Sequence, residues 1–303
     1  MTDRIVGVLA PVVTPFKVDY SVDAKRFVRQ CKWLIANHVS LAVFGTNSEA
    51  NSLAVDERMA LLERLVESGI DPARIMPGTG CCAVVDSVRL TAHAVKLGCA
   101  GALMLPPFYY KGVSDDGLFR NFASVVERVA DPRLRIYLYH IPQVSQVPIS
   151  LALIERLLDA FPQNVAGIKD SSGEWSNTLA MLTRFAARGF DVFAGSESFL
   201  LANMRHGGKG CISATANVNP ASIHKLFAEW RNGDADAQQA SLDAIRATFQ
   251  KFPMIPALKQ AVAHWSNDPG WATVRPPLVE LSAEQAAALV SDLEGSGFSM
   301  PGL

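Results

Sequence analysis

The sequence predicts an α/β fold, a (β/α)8 TIM barrel with a C-terminal helical extension. Three observations lead there. Short apolar runs alternate with longer amphipathic segments through roughly the first 210 residues, the rhythm of strand and helix in a barrel. No Gly-x-Gly-x-x-Gly fingerprint follows the first run, which removes the main signal for a doubly wound dinucleotide-binding sheet. From Asn219 to Leu303 the apolar runs stop and only helical patterns remain.

The apolar runs are Val6 to Ala10, Leu41 to Phe44, Arg74 to Gly78, Gly101 to Leu105, Leu134 to Tyr139, Val165 to Ile168, Asp191 to Ala194 and Gly210 to Ser213. They are short and punctuated by Gly or Pro, as strands buried on both faces are. Between Asp56 and Ile70, the residues Met59, Leu62, Leu65, Val66 and Ile70 fall at helical spacing with charges opposite. Ser114 and Ser150 read as helix N-caps, and Ser282 with Gln285 reads as a capping box. Pro253 and Pro256 should break or bend the path between two C-terminal helices. The expected organisation is a barrel over residues 1–225 and a helical extension over 226–303 that is not an independent domain.

Composition narrows the function classes. Of 303 residues 49% are hydrophobic and 19% charged, and a net charge of −1 offers nothing to nucleic acid or an anionic membrane. The opening residues lack the basic-then-apolar layout of a signal peptide, and no apolar run approaches the ~20 residues of a membrane span. A cytoplasmic protein is expected. The five cysteines are Cys31, Cys81, Cys82, Cys99 and Cys211, an odd number without metal-binding spacing, which suits free thiols in a reducing compartment. The six histidines form no HxH or HExxH pair, so neither a metal nor another cofactor is expected.

Catalytic groups of a barrel sit at the carboxyl ends of its strands, so those positions carry the chemistry. Lys169 follows directly on the sixth run. Desolvation in a barrel mouth favours a free, nucleophilic amine, which attacks ketones. A lysine there can also simply return to solvent. Tyr139 argues otherwise, because it ends the preceding run and neighbouring strands lie about 4.8 Å apart. A phenol within reach of the amine can move protons onto and off a carbinolamine. Thr46 adds a hydroxyl that can hydrogen-bond that phenol, and Asn47 with nearby backbone N–H groups can hold a carboxylate. One lysine, one phenol and a hydroxyl-rich turn, each at a strand end, form a coherent constellation for imine chemistry.

Four motifs then resemble the dihydrodipicolinate synthase / N-acetylneuraminate lyase family in order and spacing. They are Gly45-Thr46-Asn47-Ser48-Glu49, Tyr139 through Pro142, Gly167 through Gly173, and Gly210 through Asn217. Singly each is weak; jointly they are specific, and the resemblance covers most of the chain. It implies that Lys169 is the Schiff-base lysine, Tyr139 the acid/base phenol and Thr46 its relay partner. Asn47 takes the place where the family binds the keto-acid carboxylate, and Ile212 lines the pocket. Pro107-Phe108-Tyr109 resembles the family's P-Y-Y segment, which implies that Tyr109 reaches a neighbouring subunit's site in a dimer of dimers.

The departures bear on the substrate. Asn47 and Ser48 stand where the family has Thr or Ser and then Gly. His140 replaces an asparagine, with either a pH-responsive role or a role satisfying backbone groups at the rim. Val144 occupies the position at which true dihydrodipicolinate synthases carry an arginine that clamps the second substrate's carboxylate. An isopropyl group cannot replace that clamp. Gln143, Ser196 and Glu197 are candidates to hydrogen-bond sugar hydroxyls, although Ser196 reads equally well as an N-cap. Gly207-Gly208-Lys209-Gly210 precedes a strand and is read as a turn, and Cys211 as packing.

The expected function is therefore a class I aldolase or related lyase acting on a pyruvate-derived 2-keto acid, such as a 2-keto-3-deoxy sugar acid or a hydroxy-keto acid. A true synthase and a dehydratase using the same imine are the enzymatic alternatives. A keto-acid-binding barrel without turnover is the non-enzymatic one. Mere binding, however, needs neither an imine nor a proton relay.

Overall fold

A computed structural model describes residues 4–303; the three residues that begin the segment read for a signal peptide lie outside the described residues. The strands among them are β1 (Gly7–Ala10), β2 (Ser40–Leu41), β3 (Ala102–Met104), β4 (Ile136–His140), β5 (Val165–Asp170), β6 (Asp191–Ala194) and β7 (Gly210–Ile212). The chain divides into two compact units, one of Met1–Val6 with Asp71–Ile212 and the other of Gly7–Ile70 with Ser213–Leu303.

The first unit holds β3 to β7 as parallel neighbours in the order β7-β6-β5-β4-β3. Every residue of β4 and β5 is buried, which is why these strands read as continuous apolar runs. One face of the strands packs Ile136, Leu138, Ile168 and Val192 against Phe122, Leu157 and Phe185 of the flanking helices Asp115–Val129, Leu151–Ala160 and Trp175–Phe185. Ser114 caps the first of these by accepting from Gly117 N–H at 3.2 Å, and Ser150 caps the second by accepting from Leu153 N–H at 3.0 Å. The β4–β5 ladder shifts between Ile136↔Val165 and Tyr137↔Gly167, so Ala166 is an inserted residue.

The strand expected at Arg74–Gly78 is not formed. That segment makes one isolated parallel bridge, Gly78↔Leu103, flanked by hydrogen bonds from Leu103 N–H to Pro77 O and from Thr79 N–H to Leu103 O, each 2.9 Å. Pro77 has no N–H to continue a ladder, and the pairing stays a bridge.

In the second unit β1 pairs with β2 in parallel, Leu9↔Ser40 and Ala10↔Leu41. The run expected to continue to Phe44 stops early because Phe44 turns into the left-handed region, φ 63°. Two short 3-10 turns, Thr46–Ser48 and Ala50–Ser52, lead into the amphipathic helix Val55–Glu67. Asn217, the last residue of the Gly210–Asn217 motif, is a buried tie. Its side chain accepts from Val13 N–H at 2.9 Å and donates to Pro11 O at 3.1 Å and Ala214 O at 2.9 Å.

Past β7 the described residues are helical: Pro220–Glu229, Ala235–Gln250, Met254–Trp265 and Ala283–Gly295. Pro253 separates the second from the third as expected, standing as N-cap of Met254–Trp265. The Ser282–Gln285 capping box forms with bonds of 3.1 and 3.0 Å. Asp268 clasps these helices to Ala24–Ala36 through a bidentate pair with Arg26, 2.8 and 2.7 Å, and the guanidinium holds its carboxyl down to about 2. No helix among the described residues is long and apolar enough to cross a membrane.

Gly167 is a site of close approach. A Cβ there would lie 2.3 Å from Asp191 O and 2.9 Å from the Tyr137 ring. Gly167→Ala should therefore overpack the strands and cost about 1–3 kcal/mol, read as a lowered urea midpoint. An unchanged midpoint would show that the strands accommodate the methyl group.

Candidate active site

The strand face opposite the helices carries the candidate residues. Tyr139 is the register partner of Lys169, and Lys169 of Phe193. Both side chains are buried, Lys169 to 2% and Tyr139 to 4% exposure. The Lys169 Nζ lies 4.2 Å from the centroid of the Tyr139 ring, over its electron-rich face. One layer down, Tyr137 fills the space that Gly167 leaves and meets Phe193 edge-on at 5.8 Å. The Tyr137 hydroxyl donates to Asp191 Oδ2 at 3.3 Å, and Arg4 pairs with the same oxygen at 3.3 Å. Burial pushes both the Tyr137 phenol and the Asp191 carboxyl up, with Arg4 opposing for the latter. This layer is a closed floor beneath the amine.

His140 and Asp170 end the same two strands but alternate to the other face. His140 Nδ1 accepts from Ile149 N–H at 3.0 Å, so its neutral form carries the proton on Nε2. It satisfies backbone at the strand end, one of the two roles open to it in the sequence. Asp170, missed by sequence reasoning, is an organiser of the turn after β5. Its Oδ2 accepts from Thr178 Oγ1 at 2.6 Å, Asn177 Nδ2 at 3.1 Å and Ser172 Oγ at 3.1 Å; its Oδ1 accepts from Ser172 N–H at 3.0 Å. The signal was an acid next to the lysine with hydroxyl and amide residues two, seven and eight positions on.

The other expected residues fall at several places. Gln143 is exposed and donates to Ser171 O at 3.0 Å and to Ser172 O, bracing the turn that follows Lys169. Val144, on the short helix Pro142–Ser145, is 60% exposed. Ser196 accepts from Ser198 N–H at 3.2 Å as the N-cap of the turn Glu197–Phe199, and Glu197 is buried. Ile212 and Cys211 are fully buried in β7, and His206 and Gly207 form a turn before it. Tyr109 and Tyr110 meet edge-on at 5.3 Å and are 73% and 72% exposed. Lys111, beside them, donates to Ser145 O at 2.8 Å. In the second unit, Thr46 and Asn47 open the 3-10 turn after Gly45 and are half-buried.

Comparison with known proteins bears on the family and the fold. Residues 4–295 match the Dihydrodipicolinate synthetase family. An uncharacterized DapA-like lyase of Chloroflexus aurantiacus is 33% identical over 288 residues, 93% of this chain and 94% of that protein. The crystal structure of dihydrodipicolinate synthase from Agrobacterium tumefaciens is 33% identical with a TM-score of 0.88, covering 96% of this chain and 99% of that one. YagE of E. coli K12, crystallised with pyruvate, is 27% identical with a TM-score of 0.88 and covers 97% and 99%. The fold is thus that of the (β/α)8-barrel lyases with a C-terminal helical extension. The chain belongs to the dihydrodipicolinate synthetase family.

His140 should leave a mark on stability. Burial pulls its pKa below the ordinary value, with Asp170 pulling upward more weakly. As pH falls below about 6.5 the unfolded chain binds the proton first, so stability declines until the folded pKa is passed. His140→Asn, whose amide oxygen can accept from Ile149 N–H, should reduce the loss of urea midpoint between pH 7.5 and 5.5. An equal loss in both proteins would place the titrating group elsewhere.

Proposed function

We propose that this lyase forms an imine between Lys169 and pyruvate, or a pyruvate-derived 2-keto acid, and makes or breaks the adjacent carbon–carbon bond. The observation that carries the reading is the buried Lys169 amine held 4.2 Å over the Tyr139 ring. The amine adds to the keto carbon, the carbinolamine loses water, and the iminium so formed stabilises a carbanion at the next carbon as an enamine. In cleavage, Tyr139 takes the proton of the hydroxyl two carbons beyond the imine as that bond breaks and the aldehyde leaves; in condensation it returns the proton. Thr46 relays that proton, Asn47 receives the substrate carboxylate, and Ile212 lines the pocket.

Gln143, Val144, Ser196 and Glu197 are the proposed contacts to the rest of the substrate. The exposed, uncharged Val144 favours a partner rich in hydroxyls, a 2-keto-3-deoxy sugar acid or a hydroxy-keto acid, over one that needs a second carboxylate clamp. The exposed pair Tyr109 and Tyr110 supports a homo-oligomer, a dimer of dimers in which Tyr109 completes a neighbour's site, because aromatic rings are enriched in interface cores. An odd number of cysteines, five, without metal-binding spacing supports a reducing, cytoplasmic setting. The reading keeps residues 1–225 as the barrel and 226–303 as its extension.

Pyruvate with borohydride should fix one pyruvate-derived mass on the peptide containing Lys169, and Lys169→Ala should abolish it. Tyr139→Phe, which keeps the ring, should lower turnover by about 10²–10⁴. Full labelling of Lys169→Ala would sink the assignment of the amine; undiminished turnover in Tyr139→Phe would sink that of the phenol.

Val144 yields a separate expectation. Aspartate semialdehyde should be a poor second substrate, with kcat/KM well below the ~10⁴ M⁻¹s⁻¹ lower end of ordinary enzymes. Coupled formation of the cyclic product at or above that value would restore the synthase reading.

A further inference from the structure

The turn Thr46–Ser48 is bracketed by two left-handed residues that are not glycine, Phe44 at φ 63° and Glu49 at φ 55°. Such backbone persists only where its surroundings over-determine it. Here the surroundings are charged and buried. Glu49 Oε1 accepts from Lys259 Nζ at 2.5 Å, and neither side chain is exposed. Glu49 Oε2 accepts from Arg275 N–H at 2.9 Å. The Lys259 Nζ and the Arg275 guanidinium each lie 4.5 Å from the Phe16 ring centroid. Around this pair, Thr14 Oγ1 donates to Ser48 O at 2.7 Å, Arg58 donates to Ala50 O, and Arg275 grips both oxygens of Glu57 at 2.8 and 2.9 Å.

Two buried charges are an inefficient way to hold segments together, since apolar side chains of similar size do as well or better. Burial pulls the Lys259 ammonium down to about 8 even with Glu49 pulling it up. What the pair adds is direction. A carboxylate gripped on both oxygens fixes the left-handed Glu49, and with it the path of the backbone just before it. Lys259 sits in the otherwise apolar stretch of helix Met254–Trp265, with Leu258, Ala261 and Val262 buried beside it.

We propose that Lys259 is a positioning residue for substrate binding: through Glu49 it sets the Thr46–Ser48 backbone and Asn47 in the geometry that receives the keto-acid carboxylate. Lys259 touches no substrate atom. The inference rests on the proposed role of Asn47 and its turn.

The test compares two probes trapped on Lys169 by borohydride: pyruvate, and methyl pyruvate, which has the ketone but no carboxylate. The variant is Glu49→Gln with Lys259→Met, which removes both charges while the new side-chain amide oxygen can still accept from Arg275 N–H. The half-saturating pyruvate concentration should rise about tenfold, the size of a weakened charge-assisted hydrogen bond, with methyl pyruvate within about twofold and maximal labelling unchanged. Lys259→Arg keeps the charge but reaches further, and it reads the same selective shift should the double variant not fold. Asn47→Ala should also weaken pyruvate selectively. If it does and the Lys259 variants do not, the positioning role falls alone. Equal weakening of both probes would likewise overturn it in favour of a purely structural pair. If Asn47→Ala leaves pyruvate unaffected while Lys169 still labels, the carboxylate reading fails and the inference with it.

Discussion

The proposed site depends on one irregularity in one strand pair. The β4–β5 ladder passes from Ile136↔Val165 to Tyr137↔Gly167, and Ala166 is left over. Side chains alternate with period two, so one inserted residue moves everything after it to the opposite face. Val165 and Ile168, three apart, accordingly both join the helix-facing core. Lys169 comes opposite Tyr139. Without the insertion Ile168 would stand there, and the amine would point among the helices. Arg4 donates to the Ala166 carbonyl at 3.1 Å, giving the bulged residue a partner. Gly167, next in the strand, leaves room for the Tyr137 ring, which forms the floor under the amine.

Two lysines of this chain are almost wholly buried, and their surroundings separate their roles. Lys259 is matched by Glu49 at 2.5 Å and is locked there. Lys169 has no carboxylate within ion-pair distance among the described residues and faces the ring of Tyr139 instead. A carboxylate partner would stabilise the ammonium and occupy it; an aromatic face holds it in place and leaves the nitrogen free to react. Asp170, the nearest acid in sequence, lies on the other strand face with both its oxygens engaged by the turn that follows. Alternation along β5 thus keeps the proposed nucleophile and a carboxyl group next to each other in the chain without pairing them.

Features that depend on local pattern were legible in the sequence. Strand ends within one residue of Tyr139 and Lys169, the caps Ser114, Ser150 and Ser282, and the break at Pro253 all follow from periodicity or from the chemistry of a single residue. What was not legible depended on distance or on backbone detail. The segment at Arg74–Gly78 is apolar enough for a strand, but Pro77 denies it a ladder. The Ala166 bulge leaves no trace in the pattern of a strand buried on both faces, because no polar residue marks the change of register. Glu49 and Lys259 are 210 positions apart. The one local hint of their pairing was a lysine inside the apolar stretch from Met254 to Ala263.

The same division between buried and exposed residues separates the proposed chemistry from the proposed substrate contacts. The amine, the phenol and their floor are enclosed, and a change there would disturb packing as well as chemistry. Val144, Tyr109 and Tyr110 lie on exposed segments after β3 and β4, where substitution costs little stability. Gln143 links the two regions. Its exposed amide is committed to the carbonyls of Ser171 and Ser172, so it stiffens the turn beyond Lys169 before it contacts any ligand. On the proposed reading, the uncharged, exposed Val144 leaves the imine chemistry intact and offers no charge to a second carboxylate. On that reading reaction type and substrate choice vary independently, one following from strand register and the other from the rim.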